Sequence, residues 1–170
     1  MKNLSFIGFF LLSLILQIGL FNRFFFAGYL NPYAYVGFVL LLPLSIKRSA
    51  LLLWGFLLGF SIDVFENSGG VHTAASVLIA YLRPLLVNLV SSRLDSDRQD
   101  LSWSKFPLLA LMAYALIGLF IHHFALFTIE QFSWGDFGML LVRSTSSSLF
   151  SFSILLLVLI WFKQKRNSAL

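Results

Sequence analysis

The sequence predicts an all-α integral membrane protein, a bundle of six transmembrane helices. Three observations lead there. Hydrophobic residues make up 59% of the 170-residue chain and charged residues only 11%, against about a quarter charged in an ordinary soluble domain. The apolar runs are continuous rather than alternating, which argues against a β-barrel. Polar, basic or Gly-rich stretches divide those runs into six segments, and six spans of roughly 20 residues use about 120. The whole chain, 1–170, therefore reads as a single transmembrane domain with no room for a soluble one.

The first span covers 4–21 and is preceded by Lys2. It is long for the apolar core of a signal peptide, and no small-x-small cleavage site follows, since Phe24, Phe25 and Phe26 come next. It reads as a retained span. Arg23, an aromatic cluster and Asn31-Pro32 lead into the second span, 30–46, which is short and has Pro43 near its end. Lys47 and Arg48 make a tight connection to the third, 50–65. Glu66-Asn67-Ser68-Gly69-Gly70 is a turn by composition. The fourth span, 71–90, is interrupted at Arg83-Pro84. Ser91–Lys105 is the only long polar loop. The fifth span, 106–129, and the sixth, 137–162, are joined by the polar turn Glu130–Asp136, and Lys163, Lys165 and Arg166 follow.

With six spans, Lys2, Lys47, Arg48, Arg93, Arg98, Lys105, Lys163, Lys165 and Arg166 fall on one side. Arg23 lies on the other, with Glu66, Glu130 and Asp136. The positive-inside rule then puts both termini in the cytoplasm. The net charge of +5 is thus a matter of topology, and no nucleic-acid partner is expected. The chain has no cysteine, which excludes disulfides and thiol chemistry.

Ionisable groups at membrane depth are costly and ask for a reason. Gly55, Gly59 and Asp63 are spaced i, i+4, i+8 and share one helix face. The small residues suit close helix packing there, with Asp63 near the outer end. His72, Ser76, Ala80 and Arg83 share a face of the fourth span by the same geometry. Arg83 is expected to snorkel toward the cytoplasmic headgroups, and Pro84, which lacks a backbone donor, to kink the helix and free the carbonyl of Ala80. In the fifth span the adjacent His122 and His123 point about 100° apart and do not readily share a metal ion. His122 lies with Ala115, Gly118 and Ala125 and is the better candidate for the interior. In the sixth, Arg143 stands on a face with Ser147 and Ser151. A carboxylate would lower its desolvation cost; Asp63 and Asp136 are the available outer-side carboxylates, with Glu66 and Glu130 further out, and Asp63 is the expected partner. Asp63, His72, His122 and Arg143 thus form a candidate outer-side polar cluster, either structural or ligand-binding. No phosphate loop, G-x-S-x-G or H-E-x-x-H occurs, so no enzyme activity, cofactor or metal is expected.

In size, six spans, the short second segment NPYAYVGFVLLLP (Asn31–Pro43) and the central pattern Gly59-x-x-x-Asp63, Gly69-Gly70-x-His72, Ala80-Tyr81-Leu82-Arg83-Pro84, the chain resembles the MreD family of bacterial rod shape-determining proteins, in a form similar to that of Bacteroidetes-type bacteria. Order and spacing carry the likeness, most clearly from Leu30 to Leu86. The resemblance implies a non-enzymatic, multi-pass protein of the bacterial cytoplasmic (inner) membrane, a component of the cell-elongation machinery. It implies as partners a single-span MreC-like protein, the peptidoglycan polymerase RodA with its class B penicillin-binding protein, and the MreB cytoskeleton. It also implies a fold similar to the substrate-binding subunits of vitamin transporters, which leaves a second expectation: a solute-binding membrane subunit with an outer cavity lined by convergent polar groups.

Overall fold

The computed structural model describes residues 2–23, 30–91, 103, 106–132 and 136–167. Phe24, Phe25, Phe26, Arg93, Arg98, Lys105 and part of the 130–136 turn lie outside the described residues. Among the described residues the fold is entirely helical. The elements are α1 (Lys2–Gly19), a 3-10 turn (Phe21–Arg23), α2 (Val36–Leu41), α3 (Arg48–Glu66), α4 (Val71–Ser91), α5 (Leu108–Gln131) and α6 (Phe137–Asn167).

Helices α3, α4 and α5 and the Phe137–Ile160 part of α6 are long and apolar enough to cross a membrane, which makes this a helical, multi-pass membrane protein. Their outer faces are apolar, with Phe60, Val64, Leu85 and Val142 exposed. The apolar run of α1, Phe6–Gly19, spans only about 21 Å at ~1.5 Å per residue, short of the ~30 Å hydrocarbon layer.

The second segment departs most from expectation. In place of a helix over 30–46 there is a six-residue helix, α2, with irregular backbone on both sides. The prolines explain the break. A residue before proline is pushed out of the α region by the pyrrolidine ring, and Leu42, which precedes Pro43, sits at φ −51°, ψ 151°. Asn31 meets the same restriction before Pro32. What results is the most enclosed element of the molecule: Val36, Val39 and Leu40 are inaccessible to solvent. Helices α1, α3, α4 and α5 pack on α2, and Leu155 of α6 lies against Gly37.

Around this centre α3, α4, α5 and α6 pack in sequence order, with α1 laid against α3. The α3–α4 pair is the closest. A Cβ at Gly59 would lie 2.5 Å from the His72 carbonyl oxygen, and one at Gly55 would lie 3.0 Å from Ala80 Cβ. The turn between them runs through Asn67, Gly69 and Gly70 at φ 54°, 66° and 98°, a left-handed region that glycine enters without penalty. Helix α4 continues without a break through Pro84. Among the described residues the wall between α1 and α6 is open: Leu12 and Leu16 lie with Leu155 and Val158 along an apolar groove of about 450 Å³, with Gly37 and Phe38 also lining it.

Candidate functional site

Many of the buried polar side chains converge on segment 31–43, among them Gln17, Arg83, Tyr114 and Ser151. A helix leaves its first N–H groups and last C=O groups without partners, and irregular backbone adds more. In a dry interior each such group needs a partner. Here the neighbouring helices supply them.

At the N-terminal end of the segment the backbone offers mainly N–H groups, and these find oxygens. Asn31 N–H donates to Ser147 Oγ (3.1 Å) and Tyr33 N–H to Ser151 Oγ (3.0 Å). Tyr35 N–H donates to Gln17 Oε1 (3.3 Å), and Gln17 Nε2 returns a bond to the Pro32 carbonyl (2.9 Å). His123 Nδ1 donates to the Leu119 carbonyl (2.8 Å), which leaves Nε2 to accept from Ser151 Oγ (3.2 Å). Both neighbouring histidines of α5 are fully buried, not His122 alone, because each has polar partners inside: His122 meets Tyr35 of the segment, and His123 meets the Leu119 carbonyl and Ser151 of α6.

At the C-terminal end the backbone offers carbonyls, and these find donors. Arg83 Nε reaches the Leu40 carbonyl (3.3 Å) and Tyr114 Oη (3.2 Å), while Nη2 donates to the carbonyls of Leu42 and Pro43. Tyr114 Oη also donates to the Leu40 carbonyl (2.9 Å), and Trp103 Nε1 to those of Leu41 and Leu42 (3.2 and 3.0 Å). The guanidinium carbon lies 5.5 Å from the Trp103 ring centre. Arg83 therefore does not snorkel and is 3% exposed. The reason is local: the end of α2 carries partial negative charge and several unpaired carbonyls within reach of one five-donor group.

Asp63 serves a different helix end. Its Oδ1 accepts from His72 N–H (3.0 Å) and Ser68 Oγ (2.5 Å), and its Oδ2 from Thr73 N–H (2.8 Å) and the Thr73 hydroxyl. The residue preceding α4 is Gly70, which has no side chain to act as a cap, so a carboxylate from α3 caps α4 across the turn. Asp63 and Arg143 are not brought together. Both Asp63 oxygens are taken, and Arg143 meets Glu130 at 3.1 Å within its own α5–α6 pair, its guanidinium over Phe127 at 4.4 Å.

His72 and His122 are joined, through Tyr35. Tyr35 Oη lies 2.9 Å from His72 Nδ1 and 3.0 Å from His122 Nε2, and His72 Nε2 lies 3.1 Å from Glu66 Oε2. With neutral rings one pattern satisfies these contacts. His122 Nε2–H donates to Tyr35, Tyr35 O–H to His72 Nδ1, and His72 Nε2–H to the Glu66 carboxylate. His122 Nδ1 ends the chain without a hydrogen-bond partner among the described residues. Glu66 Oε1 accepts from Asn22 Nδ2 (2.5 Å), and Asn22 Oδ1 from Gln17 Nε2 (2.8 Å). Of the four expected cluster members, Asp63, His72 and His122 thus belong to one connected network and Arg143 stands apart. Tyr35, Glu66 and Gln17 complete it. Gln17 carried a sequence signal as an amide inside an apolar run; Tyr35 carried none.

Among the described residues no group of three or more His, Asp or Glu is placed to hold a metal ion. Fold and site together define a multi-pass helical membrane protein in which many of the buried polar groups serve a broken central segment. No protein-family model, curated protein or solved structure matches the chain.

Proposed function

We propose that this protein is a non-enzymatic component of the bacterial inner membrane, similar to MreD. In this reading it crosses the membrane six times with both termini in the cytoplasm. It holds a single-span MreC-like protein and through it regulates RodA and its penicillin-binding partner in cell elongation. Segment 30–46 provides the second crossing. Its irregular backbone is admissible at membrane depth because it is enclosed by protein.

The observation that carries the reading is the apolar groove between α1 and α6. The bundle is fastened internally by its own polar groups, yet one lateral side stays open at the level of the spans, which suits a protein that receives another helix. The expectation of a solute-binding subunit asked for Asp63, His72, His122 and Arg143 around one outer cavity. Asp63 instead caps α4 and Arg143 pairs with Glu130.

The test is site-specific photo-crosslinking in the native host. A crosslinker at Leu12 or Leu157 should trap a single-span protein of the elongation machinery, and one at Phe60 or Leu85 should not. Equal trapping from all four positions defeats the groove assignment. Because the native chain has no cysteine, single cysteines at Ser68 and Ser45 report topology. Ser68→Cys should label from outside and Ser45→Cys only after permeabilisation.

A further inference from the structure

Beside Glu66 lies a second cavity, of about 310 Å³, whose lining includes Gln17, Phe21, Asn22, Asn31, Tyr33 and Glu66. We infer that it is a binding site for a small organic monocation of the alkylammonium class, either free or as the headgroup of a lipid. This goes beyond the scaffold reading and holds whether or not a partner helix docks between α1 and α6.

Four observations select that chemistry. The one ionisable carboxyl group on the wall is Glu66, and its hydrogen-bond partners among the described residues are an amide and a histidine ring, Asn22 and His72. Helix α1 ends at Gly19 and α3 at Glu66, so two helix C-termini, each with partial negative charge, lie at the cavity. The opposing positive end, the start of α4, is neutralised by Asp63. The rest of the wall is amide and aromatic, with Phe21 and Tyr33 as ring faces for a cation and Asn22 and Asn31 as N–H acceptors. An anion finds no cationic side chain among the described lining residues and meets the Glu66 carboxylate instead. A divalent metal finds a single carboxylate where it needs several hard oxygens. The volume sits at the lower end of the ~300–1,000 Å³ of small-ligand pockets, which suits an ethanolammonium-sized group.

The geometry also gives the bound charge a route inward. A cation on Glu66 competes for the oxygen that holds His72 Nε2, and His72 is linked through Tyr35 to His122. Occupancy at the surface therefore alters hydrogen bonding at a ring nitrogen in the core.

The test uses the full chain. In detergent micelles it is titrated with ethanolammonium chloride, with sodium chloride and sodium acetate at matched ionic strength as controls. In a second arm it is placed in phosphatidylglycerol nanodiscs with and without phosphatidylethanolamine. The readouts are the melting temperature and the ring nitrogen resonances, which are simple because the chain has three histidines. A saturable rise in melting temperature, with shifts at His72 and His122, is expected for ethanolammonium or for phosphatidylethanolamine; the responding arm identifies the source. Glu66→Gln should weaken the response at least tenfold, and Glu130→Gln should leave it intact. Asn31→Leu, which fills the cavity without touching the Glu66–His72 contact, should abolish it and decides the matter if Glu66→Gln does not fold. No response in either arm, an equal response to sodium, or a full response in the decisive variant overturns the assignment.

Discussion

The two ends of segment 31–43 are held by opposite chemistry. At its start Gln17, Ser147 and Ser151 offer neutral oxygens to backbone N–H groups. At its finish Arg83, Tyr114 and Trp103 offer donors to backbone carbonyls. At the finish the polarity of α2 dictates the choice, since a helix exposes C=O groups at its C-terminus; at the start the N–H groups of Asn31, Tyr33 and Tyr35 belong to the irregular backbone before α2 and need acceptors. This difference also decides where a charge is tolerable. A guanidinium has only donors, so it suits the carbonyl end and would be useless at the N–H end. The buried Arg83, with no carboxylate beside it among the described residues, is balanced by a helix terminus.

That contrast can be broken from either side. Arg83→Leu should have the largest effect. It removes the charge-assisted hydrogen bonds to Leu40, Leu42 and Pro43, at about 1.5–3 kcal/mol each; the same carbonyls keep neutral donors in Tyr114, Trp103 and the Ile46 N–H, so the loss should reach a few kcal/mol, read as a fall of the unfolding midpoint or as failure to recover folded protein. If Arg83→Leu is as stable as the parent, the carbonyl cage has no energetic role. Ser147→Ala and Ser151→Ala come next, each at roughly 1–3 kcal/mol for the orphaned N–H of Asn31 or Tyr33, with Ser151→Ala the costlier because it also strips His123 Nε2 of its donor. Their double mutant should approach the sum, measured in the same unfolding assay. Gly59→Ala touches neither end but overpacks the α3–α4 contact, with a cost of about 1–3 kcal/mol. Gly55→Ala should cost less, because its tightest contact is 3.0 Å against 2.5 Å. Arg143→Gln should cost least, below ~1 kcal/mol, since the Arg143–Glu130 pair is partly exposed and such pairs are weak. A charge swap of Asp63 and Arg143 should rescue nothing that the single changes lose.

The long elements were legible and the broken one was not. Apolar runs closed by Gly-rich, charged or polar breaks announce α3 to α6, because a buried or lipid-facing helix needs that composition over that length. Segment 30–46 has a similar composition, and hydropathy does not register where backbone hydrogen bonds go; only Pro32 and Pro43 marked the interruption. Among site residues, Asp63, His72, Arg83 and Arg143 stand out because charge is rare in such runs. Tyr35, Tyr114 and Trp103 do not, because an aromatic residue in a membrane protein is ordinary until its polar tip is seen to meet a particular atom. The pairing of Asp63 with Arg143 failed as an expectation for a related reason. It weighed charges against charges and left out the backbone N–H groups at the start of α4.

The bonds to Ser147 and Ser151 cross 116 and 118 residues of sequence. A ribosome delivers the second segment long before it delivers the helix that completes it. Until α6 emerges, the amides of Asn31 and Tyr33 lack these acceptors, and until α4 and α5 emerge the carbonyls of 40–43 lack theirs. The nascent segment has to wait at the interface, in the insertion machinery or as a provisional longer helix, and be drawn in as later helices arrive. Helix α6 thus licenses segment 31–43, and a chain cut short before α6 should be recognised by membrane quality control as unfinished.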